Sequence, residues 1–351
     1  MRTCVAAYTA WRRVLYFPRP YEGELTGSLL VRASRRLGLT FRELNHVLTG
    51  HSRAENSLAY MTPAYLPALG RRTDITPRSL LWKHTIFPYA CITLDKTEAE
   101  TLESSLTIAE SSAIEKLPIR LNSIYPPRIK VISFRRYCEE CKEEELRNFG
   151  ESYWHVSHAL PGVAICTTQM NALRMCDLRL APRAIQAQSL LPHEVRLTDE
   201  WLHDERDVIL ALAQQTERSF CGSYALTGLL HTMYRDAAEA LGYQCERYRQ
   251  NRYRLVTDLE RYVGAELLQE MGVPVRSGAP TAWPLTLIDG HHSVPQAQLK
   301  HVLLRAFLEH AAGRATPWLN TGNASSSRSS EVWPPTMSIA TVGDGIKRQC
   351  P

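Results

Sequence analysis

Three cysteines are the residues of this 351-residue chain whose types and spacing most directly suggest chemistry: Cys138, Cys141 and, after 24 intervening residues, Cys166. A CxxC turn aims two thiolates at one point, and Zn²⁺ takes four such ligands in a tetrahedron. No second pair supplies the fourth. Cys166 is followed by Thr167, Thr168 and Gln169, and a neutral amide oxygen is a poor ligand for this metal. The available substitutes are His158, His155 and Cys176. A structural zinc is the reading the spacing favours, since no open ligand position and no neighbouring general base can be argued for. Two alternatives stand beside it. Either the knuckle holds no metal and the three thiols are ordinary buried groups, or the CxxC is a redox pair, although no βαβ pattern surrounds it.

The other candidate chemistry is cationic. The chain carries 41 Lys+Arg and 36 Asp+Glu, a net +5. Residues 1–83 hold 13 of the bases and 5 of the acids, or +8, which leaves 28 and 31, or −3, for the remainder. A local excess of this kind points to a polyanion. It lies over a helical pair. Leu25, Leu29, Leu30, Ala33 and Leu37 share one face, and Arg32, Arg35 and Arg36 are expected to face outward. Gly38 ends that helix and Thr40 caps the next, over about 40–49. Helix, short turn, helix is the spacing of a helix-turn-helix. Arg42, Asn45 and His46 are then the expected base readers, with Arg53, Arg71, Arg72, Arg78 and Lys83 nearby for phosphates. A second cluster runs Arg247-Tyr248-Arg249-Gln250-Asn251-Arg252-Tyr253-Arg254, four Arg interleaved with two Tyr. Arg247, Arg249, Arg252, Tyr253 and Arg254 are expected to meet a nucleic-acid backbone.

Elements that must position these groups are mostly helical. Helical patterns are expected near 56–70, 76–90, 97–117, throughout about 199–271, and from Pro295 to His310. Pro118, Pro126 and Pro127 precede Ile129-Lys130-Val131-Ile132, a linker running into a short strand. The expected fold is mainly α, with a helix-turn-helix region, a central knuckle of short β and loops, and a C-terminal helical unit. The corresponding divisions are a lead-in at 1–16, then 17–117, 118–198 and 199–313. A disordered tail at 314–351 contains TGNASSSRSS.

Nine cysteines, an odd count with no export signal, argue for reduced thiols in a cytoplasm. No run of roughly 18 apolar residues suggests a membrane span. GxxxxGK[ST], HExxH and GxSxG are all missing, and no set of carboxylates suggests a two-metal site, so no enzyme is expected.

The residues around the cysteines resemble a known family. Tyr137-Cys138-Glu139-Glu140-Cys141, then Gly150-Glu151-Ser152-Tyr153-Trp154-His155-Val156-Ser157-His158-Ala159-Leu160-Pro161-Gly162-Val163 and Cys166, is similar to the zinc-finger core of the TniQ/TnsD family. Phe17 to Leu29 resembles the family's opening, with Gly23 and Leu30 departing from it, and Pro295 to Leu304 resembles a segment of TnsD-type members. The resemblance implies a non-catalytic target-site selector of Tn7-like transposition in the bacterial cytoplasm, at the nucleoid. Such a protein binds double-stranded DNA, or a CRISPR effector that has found it, and recruits the AAA+ ATPase TnsC. Carried onto this chain, the zinc ligands are Cys138, Cys141 and Cys166. The fourth position falls on Gln169 and no ligand role carries over to His158. Tyr153 and Trp154 are expected to pack beneath the knuckle.

Overall fold

In the computed structural model the described residues are 17–49, 65–109, 134–179, 190–200 except 196, 206–221, 230–243, 252–291 except 277 and 280, and 297–319, with Ile124 and Ile129 besides. The architecture is mainly helical, with one small sheet. The expected strand at 129–132 lies almost wholly outside these residues, as do the lead-in and residues 320–351.

The N-terminal helical pair forms where its local signals place it. Helix α1 spans Thr26–Arg36 and α2 spans Phe41–Thr49. Gly38 between them has φ +60°, a left-handed conformation that glycine adopts without strain. Its N–H bonds to the Arg35 carbonyl, and that of Leu39 reaches back to Ser34, closing α1. At the start of α2 the Thr40 and Glu43 side chains each take the other's backbone N–H, a capping box. Leu25, Leu29, Leu30, Ala33, Phe41, Leu44 and Leu48 are buried.

Helix α3 (Leu66–Thr73) follows, then α4 (Pro77–Lys83), α5 (Phe87–Ala90) and α6 (Lys96–Thr107). Thr76 caps α4 ahead of Pro77, as expected. The expected helix over 97–117 stops at Thr107. Ile108 is exposed and Ala109 turns to φ 57°, while residues 110–117 lie outside the described residues.

The central region is an antiparallel sheet, β1 (Phe134–Tyr137), β2 (Arg174–Arg179) and β3 (Leu197–Glu200), paired in that order. Tyr137 pairs with Arg174, and Arg174 in turn with Glu200. Between β1 and β2 lie helices α7 (Glu139–Phe149) and α8 (Val156–Ala159).

The C-terminal helices are α9 (Arg206–Cys221), α10 (Leu230–Ala240), α11 (Arg252–Val263), α12 (Ala265–Glu270), α13 (Trp283–Ile288) and α14 (Ala297–Leu319). The last continues well past His310, where it was expected to end. Helices α9, α10, α11 and α13 pack around α14. Inside this group the Tyr234 hydroxyl meets His301 Nδ1 at 3.0 Å. Gln298 on α14 reaches forward to the Ala90 carbonyl and to Thr93 at 3.1 Å. Gly162, in the turn after α8, has φ +90°. A Cβ there would lie 3.0 Å from Thr216 Oγ1 on α9 and 3.3 Å from Leu299 Cδ1 on α14.

Candidate functional site

Strand β1 delivers the first two cysteines. Cys138 is the N-cap of α7 and Cys141 lies in that helix's first turn, where the backbone dipoles favour a thiolate. Cys166 arrives from the other side, on a tight turn. Its N–H bonds to the Asn171 carbonyl at 2.8 Å, and its own carbonyl accepts from Met170 at 2.7 Å. The backbone N–H of Gln169 points at the Cys166 sulfur, 3.5 Å away. The three sulfurs lie within 4.8 Å of one another, and all three residues are buried. Cys141 Sγ and Cys166 Sγ are 3.7 Å apart, close to the roughly 3.8 Å that two thiolates subtend at a tetrahedral zinc.

The charge of the cluster is shared unequally. Hydrogen bonds from Cys138 and Cys141 hold Cys166 far below the ordinary thiol range. The same bonds, to Cys138 and then Cys166, push Cys141 up, and burial adds to this. Three buried sulfurs, one of them met by a backbone N–H, are a donor set that fits a soft or borderline cation such as zinc.

The fourth-ligand candidates separate clearly. Cys176 is buried on β2, its thiol donates to the Arg135 carbonyl at 3.3 Å, and it is not among the three mutually close sulfurs. Burial pushes its thiol up to about 11. The Gln169 side chain donates to Glu144 at 3.2 Å. His155 pairs through Nε2 with the Glu145 carboxylate and stacks on Tyr153 with ring centroids 4.5 Å apart. His158 is buried, its ring centroid 4.6 Å from that of His155, and it is outside the set of three mutually close sulfurs.

Tyr153 and Trp154 are core, as expected. The Trp154 indole donates to the Leu190 carbonyl and its N–H bonds to Ser28 on α1. Tyr153 stacks on Tyr21, which stacks in turn on Phe149.

The knuckle is joined to α1 through a charged centre that the sequence reading placed wrongly. Arg32, expected to face outward, is 1% exposed. Its Nη1 is 2.6 Å from Glu24, its Nε is 2.9 Å from Glu151, and its guanidinium lies 3.8 Å from the centre of the Tyr21 ring. Leu25, Leu29 and Arg32 share one side of α1, so Arg32 points inward and two carboxylates neutralise it. Burial pushes the Glu24 carboxyl up to about 7, with Arg32 pulling the other way. Glu151 is held below the ordinary carboxylate range: burial would raise it, and Arg32 and Arg36 prevail.

Other expected DNA contacts divide similarly. Arg35 pairs with Glu194 and Arg36 with Glu151, both partly exposed. Asn45 is 1% exposed and accepts from the Tyr65 hydroxyl at 2.6 Å, so it is a core hydrogen-bonding group instead of a base reader. Arg42 and His46 stand exposed on the outer face of α2, beside Val47 at 40% exposure. Arg71 is exposed in the last turn of α3, and Arg72 donates to the Val47 carbonyl at 3.5 Å. In the second cluster Arg252 is 4% exposed and paired with Asp289, which removes it from a nucleic-acid face. Tyr253 packs partly against the core. Arg254 is exposed, 3.5 Å from Asp258. Arg247, Arg249 and Arg53 lie outside the described residues.

Sequence reasoning missed Glu24, Glu145, Glu151 and Arg136. Arg136 is buried and donates to the carbonyls of His158 (3.2 Å) and Leu160 (2.9 Å), tying the α8 turn to β1. Glu24 and Glu151 had a signal, their places inside the two stretches that resemble the family.

The comparison with protein families falls on this helical pair and knuckle: residues 15–169 match the model of the TniQ family. The Escherichia coli protein "Transposon Tn7 transposition protein TnsD" is 26% identical over 155 residues, 43% of this chain and 29% of that protein. The chain therefore aligns with under a third of that relative's length. No helix among the described residues is long and apolar enough to cross a membrane.

Proposed function

We propose that this chain is a non-catalytic target-site selector of a Tn7-like element. It binds duplex DNA through the outer face of α2 and recruits the AAA+ ATPase TnsC, while a structural zinc at Cys138, Cys141 and Cys166 holds the knuckle together. The observation that carries this reading is the TniQ match over the very residues in which α2, backed by a buried inner face, presents Arg42 and His46 to solvent. Backbone phosphates would supply most of the affinity and the base edges the selectivity. The unit divisions at 17–117, 118–198 and 199–313 belong to the same proposal.

One observation favours a second reading, a CRISPR-associated adaptor that works mainly through protein contacts. Arg32, Arg35 and Arg36 are all engaged by acids of this chain, which leaves a smaller cationic surface than the +8 of residues 1–83 suggested, and Arg252 of the second cluster is likewise paired with Asp289. A gel-shift at low salt with the candidate insertion locus, run beside a pull-down of TnsC, distinguishes the two. DNA binding with TnsC capture supports the selector. TnsC capture without binding to any DNA overturns it in favour of the adaptor.

A further inference from the structure

We propose that Val47 is a specificity-determining residue of the α2 face. On duplex DNA it packs against the C5-methyl group of a thymine, so that the chain reads a T·A pair where α2 meets the major groove. The inference rests on the DNA reading above and carries it from a polyanion to one base edge.

The outer face of α2 holds a residue that folding does not require. Phe41, Leu44, Asn45 and Leu48 form the inner face and are buried. Arg42, Glu43, His46 and Val47 lie on the other side of the helix and are exposed. Val47 alone of these is apolar. A β-branched side chain is a weaker helix former than the polar residues such a place accepts. At 40% exposure it also leaves apolar surface in water.

The charges around Val47 are arranged for an anion. Glu43, the one acid on this face, is held at the helix start, where its Oε2 accepts from the Thr40 N–H and hydroxyl, each at 2.8 Å. Arg72 on α3 donates to the Val47 carbonyl at 3.5 Å and to the Ala68 carbonyl at 3.2 Å. That bond holds the last turn of α3, with exposed Arg71, beside the outer face of α2. Burial, and then the charge of Arg71, push Arg72 below the ordinary guanidinium range. Arg32, Arg35 and Arg36 each meet a carboxylate. Among the described residues, Arg42, Arg71 and Arg72 meet none. Uncompensated cations of this kind suit backbone phosphates.

What the cations frame is an apolar, methyl-bearing side chain on a helix that the major groove can admit. Thymine is the base that presents a methyl group there, and contact with an apolar side chain is how that methyl is read. Arg42, His46 and Arg71 then fix where α2 sits, and Val47 distinguishes thymine from the other bases at that seat.

The test uses the full-length chain and a randomised duplex pool at low salt. The enriched sequence is then remade with deoxyuridine for thymine at one position at a time, which removes the methyl group and leaves base pairing and phosphates in place. One position is expected to lose affinity about fourfold, the worth of burying one methyl-sized group. In Val47→Ala that position should become indifferent to the change, while Arg71→Ala should weaken thymine and deoxyuridine duplexes alike. Because Val47 is exposed, Val47→Ala should unfold at the parent's temperature. A marked fall would make Val47 a core residue and overturn the proposal. Binding with no sequence enriched, no position sensitive to deoxyuridine, or a sensitivity that survives Val47→Ala overturns this inference alone. So does a Val47→Ala chain that keeps the parent's sequence preference and loses capture of the ATPase, which would give Val47 to a protein surface. Retention of no duplex at all overturns the DNA reading, and this inference with it.

Discussion

The Arg32 guanidinium lies 2.9 Å from the Glu151 carboxylate, 119 positions later in the chain, and the same carboxylate accepts from Arg36 and from the Tyr21 hydroxyl. This contact binds the first helix of the helical pair to the motif that follows the cysteine helix. The orientation of α1 and that of the knuckle are one structural variable.

Arg32→Ala is therefore expected to act on stability. Removing one partner from a buried pair leaves an uncompensated charge and costs about 3–5 kcal/mol. Denaturant unfolding of the variant measures this. A fully stable variant with weakened DNA binding would return Arg32 to the nucleic-acid face.

Glu24 gives the fold a dependence on pH. Its folded value of about 7 lies above the 4.5 of an unburied carboxyl. The folded state therefore binds the proton more tightly, and the stabilisation is complete below about 4.5 and is lost as pH rises through about 7, roughly 3 kcal/mol in all. Glu24→Gln should remove this slope. Parallel stability curves for the parent and the variant over that range would show that Glu24 does not titrate there.

Arg42 and His46 are expected to carry DNA affinity without carrying stability. Arg42→Ala should lower the slope of log affinity against log salt by about 0.9 if it contacts one phosphate. Arg252→Ala should instead destabilise, since it strands Asp289. A salt slope that falls for Arg252→Ala at unchanged stability would contradict the burial of that residue.

Zinc removal should loosen the knuckle. Cys141→Ser or a strong chelator is expected to abolish metal binding and to lower the melting temperature, as read by mass spectrometry under native conditions and by thermal unfolding. A purified chain with no metal and the same melting temperature with and without added zinc would leave three ordinary thiols.

What the sequence disclosed was local. The bounds of α1 and α2 came within a residue or so of the observed ones because Gly38, Thr40 and Glu43 act on their immediate neighbours. The three cysteines were legible from a CxxC and a fixed motif. Arg32 and Arg252 were misread because their partners, Glu151 and Asp289, are 119 and 37 positions away and no local pattern announces them. The stripe of Leu25, Leu29 and Arg32 was a clue to the first, outweighed by the habit of placing arginine in water. Asn45 was misread for the same reason, its partner Tyr65 being 20 positions on.

Gly162 has a consequence for how such proteins can be recombined. Its missing Cβ lets the turn after α8 sit directly against Thr216 and Leu299, on two helices of the C-terminal group. A chimera that grafts the C-terminal helices of another chain onto residues 15–169 would have to reproduce that seat as well as a compatible linker. Exchange of parts between relatives is thus constrained at a packing contact, and chimeras whose α9 carries a larger side chain at the Thr216 position should express as poorly joined halves.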